Sequence, residues 1–191
     1  TPVGPYFKGG FKSTPFMLSR KYDRAAPLGT GNIKVGGNYA ASMTATVESH
    51  DMGYSNVFYL DPKEKRYIDE CGAANFFAIK GNAYLTPRSN SILPSITNRS
   101  LITLAEDMGM RIERRPISVD ELGHFDECGA CGTAAVISPV SKIVDIENDI
   151  TYVFGDGNPG PKSTELYNRL RAIQLGEAED KFGWCTILDI K

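Results

Sequence analysis

Gly29-Thr30-Gly31-Asn32-Ile33-Lys34-Val35-Gly36-Gly37-Asn38-Tyr39-Ala40-Ala41-Ser42 is the stretch on which the reading of this chain turns. One lysine stands among four glycines, and small residues follow it. Glycine reaches positive φ and clears space for close approach. From Asn38 onward the residues read as a helix start, with Asn38 as its cap. Lys34 is thereby expected on a tight, open turn that feeds a helix. That suits a lysine that meets a ligand in a pocket. A solvated loop lysine has the same local pattern, so the rest of the chain must decide.

Outward from this stretch the elements are mixed. Residues 1–15, rich in Gly, Pro and Lys, read as an extended arm, and Phe16-Met17-Leu18 as a short strand. The helix over 38–50 is ended by Asp51-Met52-Gly53, with Gly53 at its C-terminal turn. Strands are expected at 56–61, 67–68, 75–79 and 83–86, with Asp69 to Ala74 as the connection between the second and third, which gives a β-meander. Leu101, Leu104, Ala105 and Met108 recur at helical spacing after Ile92-Leu93-Pro94-Ser95-Ile96-Thr97, and Gly109 ends that helix. Arg111 to Ile117 reads as a strand, and Ser118 to Leu122 as one capped helical turn. A small-residue turn at Cys131 to Ala135 leads into a buried strand, with further strands near 142–146 and 150–154. A helix over 161–176 and a closing strand, Trp184-Cys185-Thr186-Ile187-Leu188, complete the order. Many strands with three real helices argue for an α+β, mixed α/β domain.

The 191 residues suffice for one sizeable domain, and 41% hydrophobic with 23% charged residues is ordinary globular composition. A net charge of −2 without a basic tract gives no footprint for nucleic acid. No run of apolar residues has membrane-span length, and Thr1 to Tyr6 is not a charged region backed by an apolar one. The missing initiator Met suggests a fragment or processed chain. Four cysteines include Cys128-Gly129-Ala130-Cys131, but no second pair completes a zinc site. Free thiols in a reducing cytosol are favoured over a redox pair.

Three further stretches carry chemistry beside Lys34. Ser95-Ile96-Thr97 places hydroxyl residues ahead of a helix, whose N-terminus favours anions such as phosphate, although such caps open many helices that bind nothing. Gly132-Thr133-Ala134-Ala135 can offer backbone N–H groups to an anion or be a plain tight turn. Glu70, beside Cys71-Gly72-Ala73-Ala74, is a surface turn residue or a buried carboxylate in need of a cation, which a protonated ring nitrogen would provide. Lysine, carboxylate and two anion-cradling turns are the set that pyridoxal phosphate requires. The amine forms a Schiff base with the aldehyde, and the carboxylate keeps the pyridine nitrogen protonated.

At these residues the sequence resembles the branched-chain amino acid aminotransferases of the fold type IV pyridoxal-phosphate class, shared with D-amino acid aminotransferase. The matching stretches are 22–27, 29–42, 70–77, 92–97 and 130–139, in the family's order and spacing and spread over nearly the whole chain. The resemblance implies a C-terminal domain with a mixed sheet or pseudo-barrel and flanking helices over 27–191. Residues 1–26 would be an interdomain entry segment, and a smaller N-terminal domain would be absent.

By the same resemblance Lys34 would carry the cofactor and serve as acid and base. Tyr39 would bond the ring's phenolic oxygen, and Glu70 would pair with the pyridine nitrogen. Ile96, Thr97 and Thr133 would bind the phosphate, with Arg24 on the phosphate side. Ala134 and Ala135 would receive the substrate carboxylate through their N–H groups. No metal is implied. Ser95 replaces a glycine common in relatives, and Ala73 a threonine found in some. Ala135 and Ser138 occupy the positions of a redox C-x-x-C found in others, so that switch does not transfer to Cys128 and Cys131. The implied reaction passes the amino group of leucine, isoleucine or valine to 2-oxoglutarate, in a cytoplasmic homodimer. A D-amino acid aminotransferase, an aminodeoxychorismate lyase or a non-catalytic cofactor-binding fragment would keep the same core residues.

Overall fold

A strand sends neighbouring side chains to opposite faces, and this chain buries both faces of its sheet. Phe76 and Phe77 are adjacent and fully buried, yet they belong to two different cores. The computed structural model describes residues 10–188. Its strands are β1 (Thr14–Ser19), β2 (Asn56–Leu60), β3 (Ile68–Cys71), β4 (Asn75–Lys80), β5 (Ala83–Thr86), β6 (Arg111–Arg114), β7 (Glu127–Gly132), β8 (Val136–Asp145) and β9 (Ile150–Val153). β1 runs parallel to β2 and to β8, and β5 parallel to β6, whereas the remaining pairs are antiparallel. The order β3-β2-β1-β8-β7-β4 closes on itself where Glu70 of β3 pairs with Asn75 of β4. This closed mixed sheet is the α+β pseudo-barrel expected of the sequence, and β5, β6 and β9 extend from it.

Alternate residues of the ring fill one core. Phe16, Phe58 and Phe76 meet there, with ring centroids 5.0 and 5.2 Å apart. The opposite alternation places Phe77 and Tyr84 in a stack at 5.3 Å, within the core that α2 (Ile96–Asp107) and α3 (Pro161–Leu175) share. Leu101, Leu104 and Ala105 face that core, as their spacing predicts. The helix α1 (Gly36–Asp51) turns Ala45 onto Met17, Val57 and Tyr59. Gly53, Gly109 and Gly176 stand just beyond the three helices at φ of 84°, 72° and 71°, the left-handed conformation that ends a helix.

Several expectations change. α1 begins at Gly36, two residues before Asn38, and Val35 precedes it without a side-chain cap. None of Gly29, Gly31, Gly36 and Gly37 has positive φ, so the glycine turn is built for clearance rather than for left-handed backbone. Asp69 and Glu70 lie within β3 and not in a connecting turn. The Arg111 strand stops at Arg114, after which Ser118 forms a bridge to Tyr67 and caps a 3-10 helix, Val119–His124, in a capping box with Glu121. The two strands expected near 136–146 are one, β8. β7 is not among the expected strands; its glycines, Glu127 and Ala130 have weak strand preference, and pairing with β4 and β8 on its two sides makes the strand. Residues 184–188 form no strand. The Cys185 N–H donates instead to Asp180 Oδ2 at 2.6 Å, and Ile187 and Leu188 are exposed. Residues 1–9 of the expected arm lie outside the described residues.

Candidate active site

The glycine turn is held by its own asparagine. Asn38 Nδ2 donates to the carbonyls of Thr30 and Ile33 at 2.7 and 2.8 Å, and its Oδ1 accepts from Thr30 Oγ1 at 2.9 Å. Asn38 is thus a clasp across the turn instead of a helix cap. It fixes the residues on which Lys34 is mounted. Lys34 is exposed, with its Nζ 6.0 Å from the Tyr39 ring centroid.

Lys34 and Tyr39 line a cavity of about 570 Å³. Its other walls come from the ends of β3 and β4, the start of α2 and the β7–β8 hairpin. Glu70, Ile96, Thr133, Ala134, Ala135 and Arg24 all line it. Thr97 is buried one residue behind Ile96 and is not among the lining residues. Eight of the nine residues singled out in the sequence are therefore brought to one space.

Glu70 is the buried charge of that space, 3% exposed. Its Oε1 meets Arg24 Nη1 at 3.0 Å, and its Oε2 accepts from Asn75 Nδ2 at 2.8 Å and from the Leu93 N–H at 3.0 Å. Desolvation pushes the carboxyl up to about 7, against the opposing pull of Arg24 and the two N–H donors. The structure thus supplies a cation for Glu70 from the chain itself. Arg24, expected on the phosphate side, is turned toward this carboxylate. Its Nη2 donates to the carbonyls of Gly31 and Ser91, tying the glycine turn to the loop before α2. Its Nε is buried and has no partner among the described residues.

The opposite wall is a helix start. Ser95 Oγ caps α2 by accepting the Asn98 N–H at 3.2 Å. The two N–H groups before it, of Ile96 and Thr97, are ones that helix geometry leaves without intrahelical partners. The hairpin turn, residues 133–135, ends at Val136 with φ +59°. A β-branched residue in that left-handed conformation stores about 1–3 kcal/mol.

Cys128 and Cys131 do not form a working pair. They sit on β7 and turn to opposite faces, Cys128 into the barrel core and Cys131 toward α2 and α3. Both thiols are fully buried and pushed well up by desolvation.

The donor set fits a flat, anionic, nitrogen-bearing ligand. An amine, a buried carboxylate and the start of α2 at Ser95 and Ile96 share one cavity, and an unpartnered guanidinium N–H belongs to an arginine on its wall. Sequence reasoning missed Asn75 and Ser91, which bond Glu70 and Arg24, and Asn98, which bonds Asn75; uncharged polar residues far apart in the chain leave no local signal.

The closed mixed barrel with these residues at its mouth is the fold type IV architecture of the pyridoxal-phosphate enzymes. The family model for amino-transferase class IV matches residues 12–143, and the chain belongs to this family. It is 48% identical over 186 residues to a branched-chain-amino-acid aminotransferase of Helicobacter pylori, covering 96% of this chain and 54% of that protein. A chloroplastic branched-chain-amino-acid aminotransferase of Arabidopsis thaliana is 40% identical over 185 residues, covering 96% of this chain and 44% of that one. The solved branched-chain aminotransferase of Escherichia coli superposes with a TM-score of 0.85 at 32% identity, covering 96% of this chain and 59% of that one. The branched-chain aminotransferase of Thermobaculum terrenum, solved in its PLP-bound holo-form, superposes with a TM-score of 0.80 at 28% identity, covering 93% of this chain and 55% of that one. The chain spans about half the length of the curated relatives it matches.

Proposed function

We propose that the cavity binds pyridoxal 5'-phosphate, and that the whole protein transfers the amino group of leucine, isoleucine or valine to 2-oxoglutarate. The observation that carries this reading is the placement of Lys34, Glu70 and the α2 N-terminus around one cavity, in a chain of this family. A volume of about 570 Å³ is within the usual range for cofactor pockets. Bound cofactor supplies an electron sink for the substrate's α-carbon.

The chain's own residues do the rest. Lys34, on the cavity wall, would hold the cofactor through its amine and, when free, would serve as the acid and base that moves a proton at its Nζ. Tyr39 orients the ring by its hydroxyl. Glu70 faces the ring nitrogen, where a negative partner favours the protonated form. Ile96, Thr97 and Thr133 take the phosphate at the helix start and hairpin. Ala134 and Ala135 offer N–H groups to the substrate carboxylate. Arg24 acts through Glu70 and the Gly31 turn.

In this reading the cofactor domain comprises residues 27–191 together with β1, which sits between β2 and β8 in the barrel, and the remaining domain completes the substrate pocket. The uncharged exposed stripe of Tyr39, Met43 and Val47 on α1 supports a further protein surface on that side, in a homodimer. Buried free thiols support a reducing, cytoplasmic setting. Among the described residues no helix is long and apolar enough to cross a membrane. Amino transfer from leucine to 2-oxoglutarate by the whole protein, followed as glutamate formed, tests the reading. Lys34→Ala is expected to abolish it, and turnover retained in that variant overturns the assignment.

A further inference from the structure

Behind the cavity wall a chain of hydrogen bonds runs from β5 to Glu70, and its direction is fixed at one end. The Thr86 hydroxyl donates its proton to the Phe76 carbonyl at 3.0 Å, so toward Asn98 it can only accept. Asn98 therefore presents its amide nitrogen to Thr86, at 2.9 Å, and its oxygen accepts from the Tyr84 hydroxyl at 2.8 Å. The same Asn98 nitrogen donates to Asn75 Oδ1 at 3.3 Å. Asn75 then has its own nitrogen turned to Glu70 Oε2 and to the Leu93 carbonyl. Were Asn75 turned over, its carbonyl oxygen would face a carboxylate oxygen. Asn98 lies in the first turn of α2 with its backbone N–H on the Ser95 cap. Asn75, Thr86, Tyr84 and Asn98 are all buried.

We propose that Asn98 is a positioning residue that, by locking the direction of the Asn75 amide, sets how Glu70 is held, so that one buried chain orients both the helix start and the carboxylate of the cavity. Its consequence for the cofactor rests on the reading that Glu70 faces the ring nitrogen. Its consequence for Glu70 itself does not.

The direct test is the pH titration of the Glu70 carboxyl by carbon-13 NMR in the protein without cofactor. Asn98→Leu frees the Asn75 amide without adding charge. The Glu70 midpoint is expected to move up, in the direction given by Asn75→Leu, because the Asn75 donor to the ionised form is no longer held toward it. Thr86→Val, which lets the Asn98 amide turn over, is the second variant and is expected to shift the midpoint the same way. Pyridoxal phosphate affinity, read by absorbance titration, is expected to fall about tenfold in Asn98→Leu, the worth of one hydrogen bond to a charged group. A Glu70 midpoint unchanged in both Asn98→Leu and Thr86→Val, while Asn75→Leu moves it, overturns the proposal. If wild-type protein binds no pyridoxal phosphate, the proposed function fails, and the Glu70 titration still decides the role of Asn98.

Discussion

Arg24 and Glu70, 46 residues apart in sequence, form an ion pair at 3.0 Å in which both side chains are nearly inaccessible to solvent. The pair joins the segment before the glycine turn to the strand that closes the barrel. Breaking one side of such a pair leaves a buried charge uncompensated, at a cost of about 3–5 kcal/mol.

The cost is expected to depend on pH, with a definite sign. Glu70 titrates near 7 when folded against an ordinary 4.5, so the folded protein holds that proton longer. The stability it contributes is full below 4.5 and is lost as pH rises through about 7. Arg24→Met removes the charge that holds the value down, which enlarges that loss and moves it upward. Urea unfolding is expected to show Arg24→Met far more destabilised at about pH 8 than at about pH 5. Equal destabilisation at both would mean that Glu70 is not the group responsible.

Gly31 is where clearance is needed. A Cβ there would overlap the Ser91 carbonyl oxygen and stand 2.9 Å from both Ala25 Cβ and Arg24 Nη2. Gly31→Ala is expected to cost about 1–3 kcal/mol by overpacking and to weaken the hold of Arg24. Gly36 has nothing within 4 Å of a Cβ and opens α1. Gly36→Ala is therefore expected to be neutral or to stabilise by up to about 1 kcal/mol. Thermal unfolding of the two variants distinguishes a clearance glycine from a flexible one; similar losses in both would contradict the geometry.

Asn38→Ala removes all three side-chain bonds across the Lys34 turn. A loss of about 1–2 kcal/mol is expected from hydrogen bonds of this kind. Faster amide hydrogen exchange is expected at residues 30–38 in particular. Exchange unchanged there would show that the turn holds without its clasp.

Of the four thiols only Cys185 is exposed. Native alkylation followed by mass mapping is expected to label Cys185 alone, and denaturation to admit labels at Cys71, Cys128 and Cys131. An oxidant is expected to form no Cys128–Cys131 disulfide, since the two side chains enter different cores. Detection of that bond in folded protein would refute the strand register of β7.

Much of this was legible in the chain. The stripe of α2 and the capping residues at Ser118 carry their local physics in a few neighbouring residues, and both elements formed where expected. The gathering of Lys34, Tyr39, Glu70 and Ile96 was legible only through the family resemblance, because each motif is weak alone. β7 was hidden because its partners on both sides, and not its own residues, make it a strand. The partner of Glu70 was hidden too. A carboxylate announces a need for a cation but not which one, and Arg24 lies 46 residues away in sequence, after β1, which β2 separates from the strand of Glu70. The uncharged relay through Asn75 and Asn98 lies at the far end of that limit, since amide side chains gain their meaning from neighbours brought by the fold.

The central claim is that Lys34 carries the cofactor in this cavity, and the most direct measurement is the site of covalent attachment. The chain is mixed with pyridoxal phosphate, reduced with borohydride, digested and mapped by mass spectrometry. A single pyridoxyl label on Lys34, absent from Lys34→Ala, is the expected result. Labels spread over surface lysines, with the pattern unchanged in Lys34→Ala, would contradict it.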